Sequence, residues 1–252
     1  MIQIENLTKR FGTKTAVDSL NLDIPKGEIF GFLGPNGAGK TTTIRMLVGL
    51  LRPTSGEVRF GVPPYQFQIS KQTLEARKSI GYIPDSPFLY EKLTGREHLL
   101  FMGEIYEVER STLQTRIENF LELFSLTDVA DQPIEGYSHG MRQKVVMAGA
   151  LLHQPPILVV DEPMVGLDPR SARIVKNLFV EEARERGMTV FLSTHSLDVA
   201  EEVCDRVGII SRGKLVTLGS TGDLLKDAES DRNRLEQIFL RVTDTEDTTD
   251  FG

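Results

Sequence analysis

One cysteine, Cys204, and no tryptophan occur among 252 residues. A single thiol rules out an intrachain disulfide framework, and Cys204 reads as a small buried apolar residue of a cytosolic protein. No apolar run approaches the roughly 18 residues that a membrane-spanning helix needs. Action at a membrane would therefore need spans from another chain. The first residues lack the apolar stretch of a secretory signal and read as a strand. Positive charge is in deficit, with 29 Lys and Arg against 36 Asp and Glu and a net charge of −7. Wrapping a nucleic acid leans on cationic side chains that neutralise phosphates, so no nucleic-acid partner is expected. There is no internal repeat and no low-complexity tract.

What is present is an ordinary globular balance, 40 % hydrophobic and 26 % charged. The length suits one large domain or two modest ones. Alternation and apolar runs predict strands at residues 2–7, 20–24, 28–33, 57–60 and 80–83, with a helix at 41–51 that Pro53 ends. From Pro84 to about Gly136 the texture becomes rich in Glu, Leu and Arg at helical spacing, which predicts a helical insertion. A helix at 139–152 follows it. Strands at 157–160, 189–193, 207–211 and 214–218 then alternate with helices at 171–186 and 197–204. That alternation implies a mainly parallel sheet covered on both faces. The polar, acidic stretch 243–252 reads as a loose tail.

Gly34-Pro35-Asn36-Gly37-Ala38-Gly39-Lys40-Thr41 fits GxxxxGK[ST] without a mismatch, between a predicted strand and a predicted helix. Glycines let successive backbone N–H groups turn toward one anion, and the helix start adds its positive dipole end. Lys40 can reach outer phosphates as a point charge, the Thr41 hydroxyl is placed to ligate Mg²⁺, and Thr42 follows in the same cradle. Four aliphatic residues at 157–160 then lead into Asp161 and Glu162. Asp161 suits Mg²⁺, directly or through water, and Glu162, expected on the opposite side of the pleat, can polarise a water for attack on a γ-phosphate. A solvated strand end before a proline turn looks the same in isolation. Downstream of a complete phosphate loop, the chemical reading is preferred.

Three further elements resemble the ATP-binding cassette (ABC) ATPases. Tyr137-Ser138-His139-Gly140-Met141-Arg142-Gln143 is similar to the family's LSGGQ signature in its Ser-x-Gly core. Ser138 suits the N-cap of the next helix, whose start is a second anion-binding end. Gly166-Leu167-Asp168-Pro169 resembles the D-loop at the family's dimer seam. His195, after the strand at 189–193, matches the switch histidine that holds the base and the water in line. Phe11 matches the aromatic that stacks on adenine, although a Phe packed into the core would read the same way. The resemblance covers nearly the whole chain. Residues 94–99, 137–144 and 235–240 lean toward cassettes of ABC-2-type exporters.

The resemblance implies a P-loop α/β core with a mainly parallel sheet, a small antiparallel N-terminal β-subdomain and an inserted helical subdomain. It divides the chain into a core at 1–84 and 145–220, an insertion at 85–144, and a C-terminal helix with acidic tail at 221–252. It implies ATP and Mg²⁺ as ligands and a head-to-tail dimer. In that dimer Ser138, His139, Gly140 and Asp168 would face the nucleotide held by a second ATP-binding subunit. It further implies an integral-membrane permease partner, a place on the inner face of the cell membrane, and poor hydrolysis by an isolated monomer. Asp85 stands where the family usually has the Q-loop glutamine, so it is a metal contact only if its shorter side chain reaches. His139 replaces the first signature glycine, and Met164 and Val165 replace polar D-loop residues. A soluble ATPase of the iron–sulfur-assembly type stays open as an alternative. A non-enzymatic cassette is disfavoured because Lys40, Asp161, Glu162 and His195 are all present.

Overall fold

A computed structural model describes residues 1–62 and 65–222. The helix expected at 235–240 and the tail at 243–252 lie outside the described residues. Strands β1 (Ile2–Phe11), β2 (Lys14–Ile24), β4 (Ser55–Val62) and β5 (Tyr65–Gln68) form an antiparallel sheet in the order β2-β1-β4-β5. The second sheet adds β3 (Ile29–Leu33), β6 (Ile80–Ile83), β7 (Ile157–Asp161), β8 (Thr189–Thr194), β9 (Arg206–Ser211) and β10 (Lys214–Ser220), in the order β10-β9-β3-β8-β7-β6. All its pairings are parallel except that of β9 with β10.

Every residue of β3, β7 and β8 is buried, as strands covered on both faces require. The pleat sends their side chains into two cores. Phe30, Phe32, Ile157, Val159 and Phe191 pack toward the antiparallel sheet and helix α1 (Lys40–Leu47). Ile29, Leu33, Leu158, Val160, Val190 and Leu192 pack toward α5 (His139–Leu151), α6 (Pro169–Arg186) and α7 (Leu197–Val203). A short helix, α2 (Thr73–Lys78), precedes β6.

The helical insertion is present as α3 (Gly95–Ile105) and α4 (Arg110–Leu123). Thr94 and Glu97 start α3 as a reciprocal capping box, each side chain accepting the other's backbone N–H at 3.1 and 2.8 Å. Arg142 ties α5 back to the insertion through Glu91 Oε1 at 2.7 Å and the Glu135 carbonyl at 3.0 Å.

Several expectations shift, with β1 running on to Phe11 past residue 7 and β4 spanning Ser55–Val62 rather than 57–60. Strand β2 begins at Lys14 rather than residue 20, because Asn6 and Ser19 take left-handed φ of 48° and 50° and the β1–β2 register slips there, which breaks the alternation. Helix α1 stops at Leu47, before Pro53, because Gly49 turns left-handed at φ 70° and Leu50 and Leu51 donate back to the Arg45 carbonyl. Helix α6 starts at Pro169, with Asp168 as its N-cap, two residues earlier than the periodicity implied. Strand β5 and helix α2 fall between the strands expected at 57–60 and 80–83, where no element is expected.

Phe191 lies 5.8 Å from the ring of Phe30 and 5.2 Å from that of Phe32, fully buried between the sheets. Phe191→Ala is expected to lower unfolding stability by about 3–5 kcal/mol, read as a reduced urea midpoint at unchanged m-value.

Candidate nucleotide-binding site

The parallel register fixes the site. Leu33 at the end of β3 pairs with Thr194 at the end of β8, and Asp161 at the end of β7 pairs with Ser193. Three strands therefore finish at one level, and the groups that follow them converge there. Ligands of open α/β sheets bind at such carboxyl ends.

The loop after β3 is a tight cradle. A β-carbon on Gly34 would lie 2.4 Å from the Ile210 carbonyl. One on Gly39, at φ 113°, would lie 2.6 Å from the Ala16 carbonyl. Only glycine fits these two positions. Lys40 is buried, and its ammonium donates to the Gly34 carbonyl at 2.6 Å and the Pro35 carbonyl at 3.2 Å. Burial pushes its pKa down, while the charges of Glu162 and Asp161 push it back up. A cavity of about 300 Å³ opens over the loop. Phe11 lines one end of it, and Pro35, Asn36, Gly37, Gly39, Lys40, Thr41 and Thr42 line the rest. Phe11 is half exposed, with the Lys9 ammonium 5.1 Å from its ring centroid. Lys14 and Ala16, on the adjoining hairpin strand, also line the cavity and were not expected to. Their signal lay in the bulged stretch where alternation fails.

Across the strand ends, the Thr41 hydroxyl donates to Asp161 Oδ2 at 3.1 Å. Burial pushes the Asp161 carboxyl up, the Thr41 bond opposes that, and the charges of Asp85 and Glu162 add to it. A buried carboxylate beside a hydroxyl is a hard oxygen pair of the kind Mg²⁺ takes when phosphates complete its shell. Among the described residues no cluster of three or more His, Cys, Asp and Glu forms a self-sufficient metal site. Asp85 is exposed, and its carboxylate accepts the Ser86 N–H at 2.8 Å.

Glu162 differs from expectation in its geometry. The strand ends at Asp161, and Glu162 leaves it at a left-handed φ of 49° instead of continuing the pleat. Such a backbone is strained for a non-glycine residue and aims the side chain independently of the strand. Glu162 Oε1 lies 2.9 Å from His195 Nδ1, and Oε2 accepts the Thr194 hydroxyl at 3.2 Å. The structure thus brings Glu162 and His195 together and adds Thr194, which sequence reading missed although it adjoins His195.

Ser138, His139, Gly140 and Asp168 stand apart from this cavity. Ser138 caps α5, accepting the Met141 N–H at 3.3 Å. Asp168 caps α6, accepting the Ser171 N–H at 2.9 Å and its hydroxyl at 2.5 Å; these bonds hold its carboxyl below the usual range. His139 and Gly140 lie against Gly166 in the turn after Glu162.

The profile of the family described as ABC transporter matches residues 17–165. The linearmycin resistance ATP-binding protein of Bacillus subtilis (strain 168) is 40 % identical over 224 residues, 89 % of this chain and 70 % of that protein. The bacitracin transport ATP-binding protein of Bacillus licheniformis is 40 % identical over 216 residues, 86 % of this chain and 68 % of that protein. Among solved structures, an ATP-binding subunit of an ABC transporter superposes with TM-score 0.87 at 28 % identity, covering 96 % of this chain and 99 % of that one. A dimeric post-hydrolysis ATP-binding cassette bound to ADP and Pi superposes with TM-score 0.77 at 26 % identity, covering 88 % and 99 %.

The raised Asp161 pKa yields a signed expectation. An acid whose pKa is higher folded than unfolded costs stability once pH exceeds its unfolded value. Asp161→Asn should therefore melt at a higher temperature than the parent at pH 7.5. The gap should narrow as pH falls toward the ordinary aspartate range near about 4. Thermal melts of the pair across pH would show a constant gap, or none, if burial of this charge is unimportant.

Proposed function

This chain belongs to the ABC transporter family, and on that premise we propose that it is the Mg²⁺-dependent ATPase subunit that powers a separate membrane permease. The observation that carries the reading is the convergence of Lys40, Thr41, Asp161, Glu162 and His195 at one level of the parallel sheet. The adenine base stacks on Phe11, the backbone N–H groups of residues 34–42 and the Lys40 ammonium take the phosphates, and Thr41 and Asp161 hold the metal. Held by Thr41 and Asp161, Mg²⁺ would supply positive charge that neutralises the phosphates and favours in-line attack. Asp85, whose charge acts on Asp161, would offer a further oxygen toward the same metal. Glu162, steadied by His195 and the Thr194 hydroxyl, accepts the proton of the attacking water. Lys40 offsets the charge that builds on the transferring phosphoryl group.

Each site is half a site. Ser138, the N-cap of α5, and Gly140 in its first turn complete the γ-phosphate contacts of a second copy arranged head to tail. The dimeric state of the matched post-hydrolysis cassette supports this. Among the described residues no helix is long and apolar enough to cross a membrane, so a partner chain supplies the spans. That partner places the subunit on the inner face of the cell membrane. The resistance and transport names of the relatives support export of the ABC-2 type. Nothing in the comparisons favours iron–sulfur assembly.

Glu162→Gln is expected to cut hydrolysis by about 10²- to 10⁴-fold while leaving ATP binding intact. With Mg-ATP the variant should run as a dimer in light scattering, and EDTA should return it to monomer. Parental turnover by Glu162→Gln would remove the base assignment. A species that stays monomeric at saturating Mg-ATP would remove the sandwich.

A further inference from the structure

The signature turn and the turn that carries Glu162 are interlocked within one chain. A β-carbon on Gly140 would lie 2.9 Å from the Gly166 carbonyl, so backbone meets backbone there. A β-carbon on Gly166 would lie 2.2 Å from His139 Cδ2 and 2.9 Å from its Nε2, so the imidazole covers the Gly166 Cα. Gly166 sits at φ 79°, one turn beyond Glu162. Its neighbours bind the segment at both ends. The Glu162 N–H donates to the Ser193 carbonyl at 3.0 Å, and Asp168 caps α6 through the Ser171 N–H at 2.9 Å. Met141 of α5 and Met164 and Leu167 of the turn pack on the same apolar core. The contact therefore joins two groups with separate duties. Ser138 and Gly140 serve the nucleotide of the other copy, and Glu162 serves the nucleotide of its own.

We propose that His139 is a positioning residue: its ring, seated on Gly166, makes the signature turn and the Glu162 turn move as one body. Capture of one copy's nucleotide by the signature then sets the base at the other site. This rests on the head-to-tail dimer proposed above. It assigns the imidazole that replaces a signature glycine to an internal contact and not to the facing phosphate.

Two measurements separate these roles. In the Glu162→Gln background, His139→Ala should leave the Mg-ATP concentration for half-maximal dimerisation within about twofold of the parent. In the Glu162 background, the same change should lower kcat by about tenfold at near-constant KM, the pattern of an interaction felt only at the reacting step. A phosphate contact would do the opposite, weakening dimerisation and raising KM with kcat preserved, and that result overturns the proposal. A double-mutant cycle adds a test that does not need the dimer. Gly166→Ala destabilises through its φ in any background, but part of its cost is the collision with His139. Its drop in urea midpoint should therefore be smaller in His139→Gly than in the parent. Strict additivity of the two changes would overturn the contact itself. Failure of Glu162→Gln to dimerise would overturn the dimer, whatever the cycle shows.

Discussion

Strand β8 is the constraint from which the rest of the site follows. Buried on both faces, it lies between the phosphate-loop strand and the acidic strand and hydrogen-bonds to both in parallel. Parallel ladders fix relative register, and a one-residue slip would exchange every inward and outward side chain across two packed cores. Phe191 on one face and Val190 and Leu192 on the other make such a slip untenable. With register fixed, Thr41, Asp161, Glu162 and His195 meet although up to 154 residues, from 41 to 195, separate them.

The site combines stiff and strained parts. The glycine cradle is stiff because carbonyls of Ala16 and Ile210 close in on Gly39 and Gly34. Burial disfavours charge on both Lys40 and Asp161; the carboxylates of Glu162 and Asp161 oppose this at Lys40, and the Thr41 hydroxyl opposes it at Asp161. That arrangement costs folding stability and suits a highly charged ligand that brings compensating charge of its own. Glu162 carries the backbone strain, at a left-handed φ next to its partners Thr194 and His195. The same turn continues into Gly166 and Asp168, so the aim of Glu162 is tied to the contact of Gly166 with His139 and Gly140.

Departures from the family pattern sit at the contacts between parts. His139 in the signature covers Gly166. Asp85 stands exposed at the entrance to the insertion, close enough to Asp161 to act on its charge. Val165 is exposed beside the turn. None of them lines the cradle, where the sequence follows the motif without exception.

The motifs whose chemistry is local were legible in the residues alone. The phosphate loop, the aliphatic run ending in Asp161 and Glu162, and the helix cap at Ser138 depend on neighbours a few positions away, and so did the alternation of strands and helices. The structure decided what depends on distant neighbours. The irregularities at Asn6 and Ser19 break the alternation of β2, whose first residues Lys14 and Ala16 line the cavity over the loop. The strand order sets His195 and Thr194 on Glu162, and the fit of His139 over Gly166 arises only when α5 packs beside the turn. Sequence periodicity reports which face of an element is apolar, and it carries no information about which other element that face will meet.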